Sequence, residues 1–392
     1  MPYSNFKTPL GDEIHPLVFH SNDAPTLGVE LELQLVDAHS FALKSAILDL
    51  IRHVGEDQQW LKPELMQSYV EINTNVCASI SDVRKDLEGK LARLYAAAEA
   101  NNTRILWAGS HPFSTWMDQD ITPSKRYEKL VELMQDTARR IVTFGMHVHV
   151  GVDSGDKAVM VVDRLMRYLS TLLALSVNSP FWVGRRTGLQ SQRIKIMEQL
   201  PAAGTPPFLR NYSEYCWVVN QSIQSGFINS IQEIWWDVRP HPRFGTVEVR
   251  IFDIPQNLED ALALTAVTQC LVAALSDQID DGVYQHDIHP IVVRQNKWKA
   301  CRWGMRAELI DPVTHKTIPV REMVFFIYEK LKPYAERLGC MQELNHTITM
   351  LDNPSGAERQ LQLYEEHDHD LRKVVEALAV PSSSPEPAKR EK

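Results

Sequence analysis

Four stretches of the 392-residue chain alternate between apolar and polar side chains, and the polar members are nearly all carboxylates or imidazoles. They are 26–36 (TLGVELELQLV), 69–74 (YVEINT), 145–152 (GMHVHVGV) and 246–252 (TVEVRIF). A period of two is the spacing of a β-strand, whose successive side chains point to opposite faces of a sheet. Leu27, Val29, Leu31, Leu33 and Leu35 therefore share one face, and Glu30, Glu32 and Gln34 the other. Val70 and Ile72 oppose Glu71 and Asn73. Val148 and Val150 oppose His147 and His149. Val247, Val249 and Ile251 oppose Glu248 and Arg250.

A half-exposed antiparallel sheet explains such alternation in any one strand. It explains the four together poorly, because Glu is depleted in strands and a solvated face usually mixes Thr, Ser and Lys. At a strand rise of about 3.3 Å per residue, Glu30 and Glu32 stand roughly 6.6 Å apart. Carboxylates crowded in this way repel one another unless cations lie between them. Several carboxylates with imidazole suit a hard divalent cation, Mg²⁺ or Mn²⁺, whereas structural zinc would favour thiolates. Mg²⁺ held by few protein groups completes its shell with water and substrate phosphates, which points to nucleotide chemistry.

The rest of the chain narrows the setting. No phosphate-binding loop of the Gly-x-x-x-x-Gly-Lys-Ser/Thr type occurs, no Gly-x-Gly-x-x-Gly and no His-Glu-x-x-His, so an ATP site here is expected on a sheet. The net charge of −9, without a basic stripe, argues against a nucleic-acid partner. Five scattered cysteines, with no Cys-x-x-Cys pair, read as free thiols in a reducing compartment. The N-terminus lacks the pattern of a signal peptide. The longest apolar run, 261–275, is interrupted by Thr265, Thr268 and Gln269; it reads as a buried helix, too short to span a membrane. A cytoplasmic protein is expected.

Helical spacing recurs in 81–101, 125–140, 157–176, 258–281, 321–337 and 358–378. The segment 104–108 (RILWA) reads as a further strand. Pro201, Gly204, Pro206 and Pro207 mark a loop or lid over 200–209. The tail 380–392, rich in Pro, Ser and charge, is expected to be disordered. The expected organisation is an N-terminal extension, 1–24, and one catalytic domain, 25–379. Its class is α+β, with helices around an antiparallel sheet.

Read together, Gly28-Val29-Glu30-Leu31-Glu32, Glu71-Ile72-Asn73-Thr74, the histidine strand 145–151 and Thr246-Val247-Glu248-Val249-Arg250 resemble the type 2 glutamate–cysteine ligase family, the carboxylate–amine ligases. The stretches 235–253 (WWDVRPHPRFGTVEVRIFD) and 296–309 (NKWKACRWGMRAEL) resemble it as well. The likeness runs from about Pro25 to beyond Asp311. A more distant likeness is to glutamine synthetase, with its Glu-x-Glu, Gly-Met-His-x-His and Glu-x-Arg strands. The chain departs from that enzyme in two places. Only Thr143-Phe144-Gly145 precedes the histidine strand in place of a glycine-rich approach, and the small N-terminal domain is missing.

The resemblance implies a curved antiparallel sheet forming an open funnel, with ATP entering one side, the amino acid the other, and two or three Mg²⁺ (or Mn²⁺) between them. It implies an ATP-dependent ligation of glutamate to an amine, cysteine first, through an acyl phosphate, by a homodimer. Alternatives are another amine acceptor, phosphoryl transfer to a guanidino group, a nucleotide- and metal-binding regulator with little turnover, or a metallohydrolase.

The expected metal ligands are Glu30, Glu32, Glu71, His147 and Glu248. His149 is expected at the substrate or transferred phosphate, unless it is a satisfied sheet histidine. Arg250 is expected to hold phosphate or carboxylate, unless it merely pairs with Glu248. Arg239 and Arg302 are further candidates for substrate or phosphate contact, or for structural ion pairs. Glu64 is read as a solvated loop carboxylate rather than a ligand. Trp235 and Trp236 are read as core packing rather than a pocket wall, and the acidic run 365–370 as a solvated face.

Overall fold

The computed structural model describes residues 17–55, 59–285 and 288–379; the expected disordered tail, 380–392, lies outside them. Seven strands form the central sheet: β1 (Leu27–Asp37), β2 (Leu61–Pro63), β3 (Tyr69–Asn73), β4 (Thr103–Leu106), β5 (Gly145–Gly151), β6 (Val238–His241) and β7 (Thr246–Asp253). Their order is β6-β7-β5-β1-β3-β2, with β4 pairing the far end of β1, and every pairing is antiparallel. The ends of the sheet do not meet, so it stays open, flanked by helices: the α+β class expected from the sequence. A register shift between Val249 and Phe252 breaks the β7–β5 ladder, and such a bulge bends the strand and sharpens its twist.

The alternation sorts the two faces as the sequence implies. Leu27, Val29, Leu31, Leu33 and Leu35 are buried in the main core together with Val148, Val150, Val247 and Val249. The helix Ile80–Ala100 packs on β1 and the helix Leu258–Asp280 on β5. The first is started by a capping box, Ser79 Oγ accepting from Asp82 N while the Asp82 carboxylate accepts from Ser79 N.

The helical spacing over 258–281 is borne out, and only the reading of its apolar run as too short for a bilayer changes. The helix around the apolar run extends over 23 residues, Leu258–Asp280, about 34 Å at 1.5 Å per residue, which is long enough to cross a bilayer. It is nevertheless a core helix. Every residue from Asp260 to Leu275 is buried, and the helices Val320–Leu338 and Met341–Asp352 pack against it.

Two other expectations also change. The helical spacing over 358–378 is divided between Gly356–Glu366 and Leu371–Leu378, because Asp368 and His369 take left-handed φ values of 52° and 68° and Asp370 caps a new helix. The Pro-rich segment is partly pinned, since Ala203 and Gly204 pair in parallel with Trp235 and Trp236. Of the N-terminal extension, the described residues lie along the β6–β7 hairpin, His20 N donating to Pro242 O at 3.0 Å and Asn22 Nδ2 to Gly245 O at 2.8 Å.

Candidate active site

Antiparallel register places the polar side chains in three rows across one face of the sheet. Arg239, Glu248, His149 and Gly28 are successive neighbours on β6, β7, β5 and β1. His147, Glu30 and Asn73 form the next row, and Glu32, Glu71 and Lys62 the third. The rows floor a cleft of ≈ 760 Å³, a size suited to small-molecule substrates. A second cleft of ≈ 640 Å³ adjoins it and shares Glu30, Lys62, His149, Arg243 and Phe244.

Among the described residues, Glu30, His147 and Glu248 form the one group of metal-ligating side chains whose donor atoms all lie within 4.8 Å of one another. His147 Nδ1 is 2.8 Å from Glu30 Oε2 and 3.2 Å from Arg250 Nη1, and His147 Nε2 is 3.6 Å from Glu32 Oε1. His149 Nδ1 is 3.0 Å from Thr246 Oγ1. Its Nε2 is buried without a hydrogen-bond partner, 3.6 Å from Glu30 and 3.9 Å from Glu248. Burial pushes Glu30 up, but His147 and His149 outweigh it and hold the carboxyl well below the usual range. Burial likewise opposes ionisation of Glu248, and Arg239, Arg250 and His149 hold it well below that range.

Glu32 and Glu71 fall into a second, carboxylate-only region with Glu64. Sequence reasoning set Glu64 aside as a loop carboxylate, but it lines the cleft, 3.4 Å from Tyr127 Oη. Burial, then the charges of Glu71 and Glu32, push Glu64 well above the usual range; burial and Glu30 raise Glu71. Lys62 Nζ is 3.6 Å from Glu71, and the Glu32 carboxylate accepts from Gly145 N. The donor set fits hard divalent cations. One region offers carboxylates and an imidazole, the other carboxylates whose mutual repulsion, with burial, outweighs the charge of Lys62.

The expected arginines diverge. Arg250 lines the cleft and pairs with Glu248. Arg239 also borders the cleft, but its donors are taken up elsewhere: Nε and Nη2 donate to Glu248 at 2.7 and 3.2 Å, Nη1 to the carbonyls of Ile231 and Ile234 at 3.0 and 2.5 Å. Its hydrogen bonds are thus made within the protein. Arg302, on the helix Pro290–Trp303, is outside the residues lining either cleft and donates to Gly188 O.

Arg193, which no sequence pattern singled out, lines the cleft instead. It is 3% exposed, with Nε and Nη1 lacking partners and Nη2 3.4 Å from Arg250 O. Gly145 makes room for it, since a Cβ there would collide with the guanidinium. Trp235 lines the cleft, whereas Trp236 packs in a small core with Tyr215 and Ile234. The acidic run 365–370 is largely exposed, Glu365 pairing with Arg186 and His369.

Three comparisons bear on this arrangement. The model of glutamate-cysteine ligase family 2 matches residues 26–377. A protein of Gloeobacter violaceus, provisionally named glutamate–cysteine ligase 2, is 41% identical over 349 residues, covering 88% of this chain and 94% of its own. One of Thermobifida fusca with the same provisional name is 41% identical over 366 residues, covering 92% and 91%. Among solved structures, the glutamate–cysteine ligase of Francisella tularensis in complex with AMP aligns with a TM-score of 0.65 at 13% identity, covering 94% of this chain and 91% of that one. A bifunctional glutathione synthetase of Pasteurella multocida aligns at 0.67 and 14% identity. It covers 91% of this chain, which spans about half (52%) of that longer one. At such identities the likeness to these two structures is one of fold.

Proposed function

The chain belongs to glutamate-cysteine ligase family 2 and is a glutamate–cysteine ligase-like enzyme, and from that premise we propose that it is an ATP-dependent carboxylate–amine ligase, joining the side-chain carboxylate of glutamate to cysteine. The observation that carries the reading is the convergence of Glu30, His147 and Glu248 beside unpartnered cationic and imidazole nitrogens in one cleft. A carboxylate is a poor acyl donor. Its oxygen attacks the γ-phosphorus of ATP, ADP leaves, and the amine nitrogen then displaces phosphate and gives up a proton to form the amide. Two anions must be brought together for the first step, so the site must supply positive charge.

Glu30, His147 and Glu248 would hold one Mg²⁺ or Mn²⁺, and Glu32, Glu64 and Glu71 a second. Such ions, when bound, offset the charge of the nucleotide's phosphates. Arg193 and Arg250 face the cleft and bind the glutamate carboxylate and the transferring phosphoryl oxygens, a task suited to planar guanidinium. His149 Nε2 is placed to contact the same phosphoryl group. The adjoining cleft, with Trp60, Val76 and Phe244 on its wall, suits the adenine, and the larger cleft the amino acids.

The reading takes residues 25–379 as one catalytic unit. It also includes a cytoplasmic setting, where ATP and reduced thiols are supplied, and the homodimer implied by the family resemblance. The decisive measurement is ADP release with glutamate and Mg²⁺, with and without cysteine and across a panel of other amines. Release that depends on another amine reassigns the acceptor, release into a guanidino compound points to phosphoryl transfer, and phosphate-ester cleavage without any amine points to a hydrolase. Tight ATP binding with no ADP from any pair overturns the ligase reading in favour of a regulator.

Cation binding has its own signature in stability. The folded pKa values of Glu64 and Glu71 are raised above the ordinary 4.5. Their contribution to stability is therefore full below that value and is lost as pH rises through the raised values. Glu30 and Glu248 run the other way, losing their contribution only as pH falls below 4.5. A divalent ion between the raised carboxylates cancels their repulsion. Millimolar Mg²⁺ is expected to raise Tm more at about pH 8 than at about pH 5, since ionisation of the two raised carboxylates, and with it their repulsion, grows with pH. Equal shifts at both values, by scanning fluorimetry, count against a cation at Glu64 and Glu71.

A further inference from the structure

Lining neither cavity is a group of four charges, of which Lys297 and Asp237 are buried, Lys195 half-buried and Glu198 at the surface. Lys297, 3% exposed on the helix Pro290–Trp303, donates to both Asp237 oxygens at 2.8 and 2.6 Å, and its Nζ is 2.9 Å from Glu198 Oε1. Lys195 Nζ reaches the other Glu198 oxygen at 2.6 Å. Two cations thus face two carboxylates. Burial alone would lower Lys297, but Asp237 and Glu198 raise it above its ordinary value.

What this group joins gives it a role. Glu198 directly follows the helix Gln192–Met197, which carries Arg193 and Met197 into the cleft. Asp237 follows Trp235 and Trp236, and its backbone oxygen accepts from Arg250 N at 2.8 Å. Asp237 N donates to Gly204 O at 2.8 Å and Trp235 N to Ala202 O at 2.9 Å, so the Pro-rich segment hangs on the same strand. The two elements that present Arg193 and Arg250 are therefore bridged by the Lys297 ammonium, beside the direct contacts of Arg193 Nη2 with Arg250 O and of Ser191 Oγ with Asp253 Oδ1.

We propose that Lys297 is a positioning residue: with Asp237 and Glu198 it forms a latch that fixes the separation of Arg193 and Arg250 and so sets the pocket for the anionic amino-acid substrate. The inference rests on the ligase reading for the identity of that substrate, glutamate. A purely structural ion pair offers an alternative account. Buried ion pairs are frequently replaceable by neutral groups of similar shape without loss of stability, whereas removing one partner alone is strongly destabilising. That difference separates the two accounts.

The test compares the full-length wild type with Lys297→Met, with the neutral triple variant Lys297→Met/Asp237→Asn/Glu198→Gln, and with Lys297→Arg, in ADP release and in calorimetric glutamate binding with Mg²⁺ and ADP present. Lys297→Met is expected to lower Tm. The triple variant is expected to recover most of that Tm while its KM and Kd for glutamate stay at least tenfold above wild type and its KM for ATP within twofold. Lys297→Arg, which keeps the charge but shifts its position, is expected to keep Tm and raise the glutamate constants by a smaller factor. Wild-type glutamate constants in the triple variant overturn the latch; if that variant does not fold, wild-type constants in Lys297→Arg do so. A wild type that binds glutamate but releases no ADP overturns the ligase reading, and the latch is then judged on Kd. A wild type that neither binds glutamate nor releases ADP overturns both.

Discussion

Glu30→Gln is expected to cut ADP release by at least about a hundredfold, the scale on which loss of one preorganised charge-stabilising group acts, while the variant still folds and its Tm falls less than that of Glu248→Gln. Glu30 belongs to the group with His147 and Glu248 but keeps a side-chain exposure of 20%, and its contacts are to imidazoles that an amide oxygen also satisfies. Glutamine keeps the shape and removes the charge. Glu248→Gln abolishes activity for the same reason but is the poorer test. The Glu248 carboxylate is 1% exposed and neutralises two arginines, and breaking such a buried pair costs about 3–5 kcal/mol. Activity lost in a Glu30→Gln variant that is fully folded at the assay temperature is then a statement about chemistry. Near wild-type turnover in that variant places the reaction somewhere other than this cleft.

The reason Glu30 was visible in the sequence, and Arg193 was not, is physical. Strand side chains alternate strictly, so a polar face is written into the sequence two residues at a time, and antiparallel register then brings the faces of separate strands together. Glu30, His147 and Glu248 converge for that reason, although 117 residues separate Glu30 from His147 and 97 separate His149 from Thr246. The three-row pattern further depends on register, which alternation does not specify. Alternation alone thus did not divide Glu32 and Glu71, with Glu64, from the other carboxylates. Glu64 sits just beyond β2, and a loop position carries no periodic signal.

Arg193 lies on a six-residue helix whose place over β5 is set by tertiary packing, and only Gly145 hints at it. Arg239 and Arg302 were read from neighbouring motif residues, which report that a segment matters without saying which way a side chain points. The single long core helix was legible as apolar. Its length was legible too, in the helical spacing over 258–281; Asp277 and Asp280 near its end form the half-exposed last turn.

The two arginines that flank Arg250 should respond to the same substitution in opposite ways. Arg239→Met removes four hydrogen bonds in which a buried guanidinium takes part and leaves Glu248 without its bidentate partner. A loss of up to about 3–5 kcal/mol follows from removing one partner of a buried ion pair, with only Arg250 left against Glu248, enough to lower Tm markedly and to take activity with it. Arg193→Met removes a guanidinium that is just as buried but has two nitrogens unpartnered. An unsatisfied buried polar group costs about 1–3 kcal/mol, so replacing it by an apolar chain of similar length is expected to leave Tm unchanged or raise it. In the ligase reading the anionic substrate supplies the missing partners. Arg193→Met is therefore expected to lose glutamate-dependent ADP release by about a hundredfold or more while folding at least as well as the wild type. Denaturation midpoints beside initial rates decide the matter. A destabilised Arg193→Met with ordinary glutamate kinetics would make Arg193 a structural residue and leave Arg250 as the cleft's anion-binding arginine.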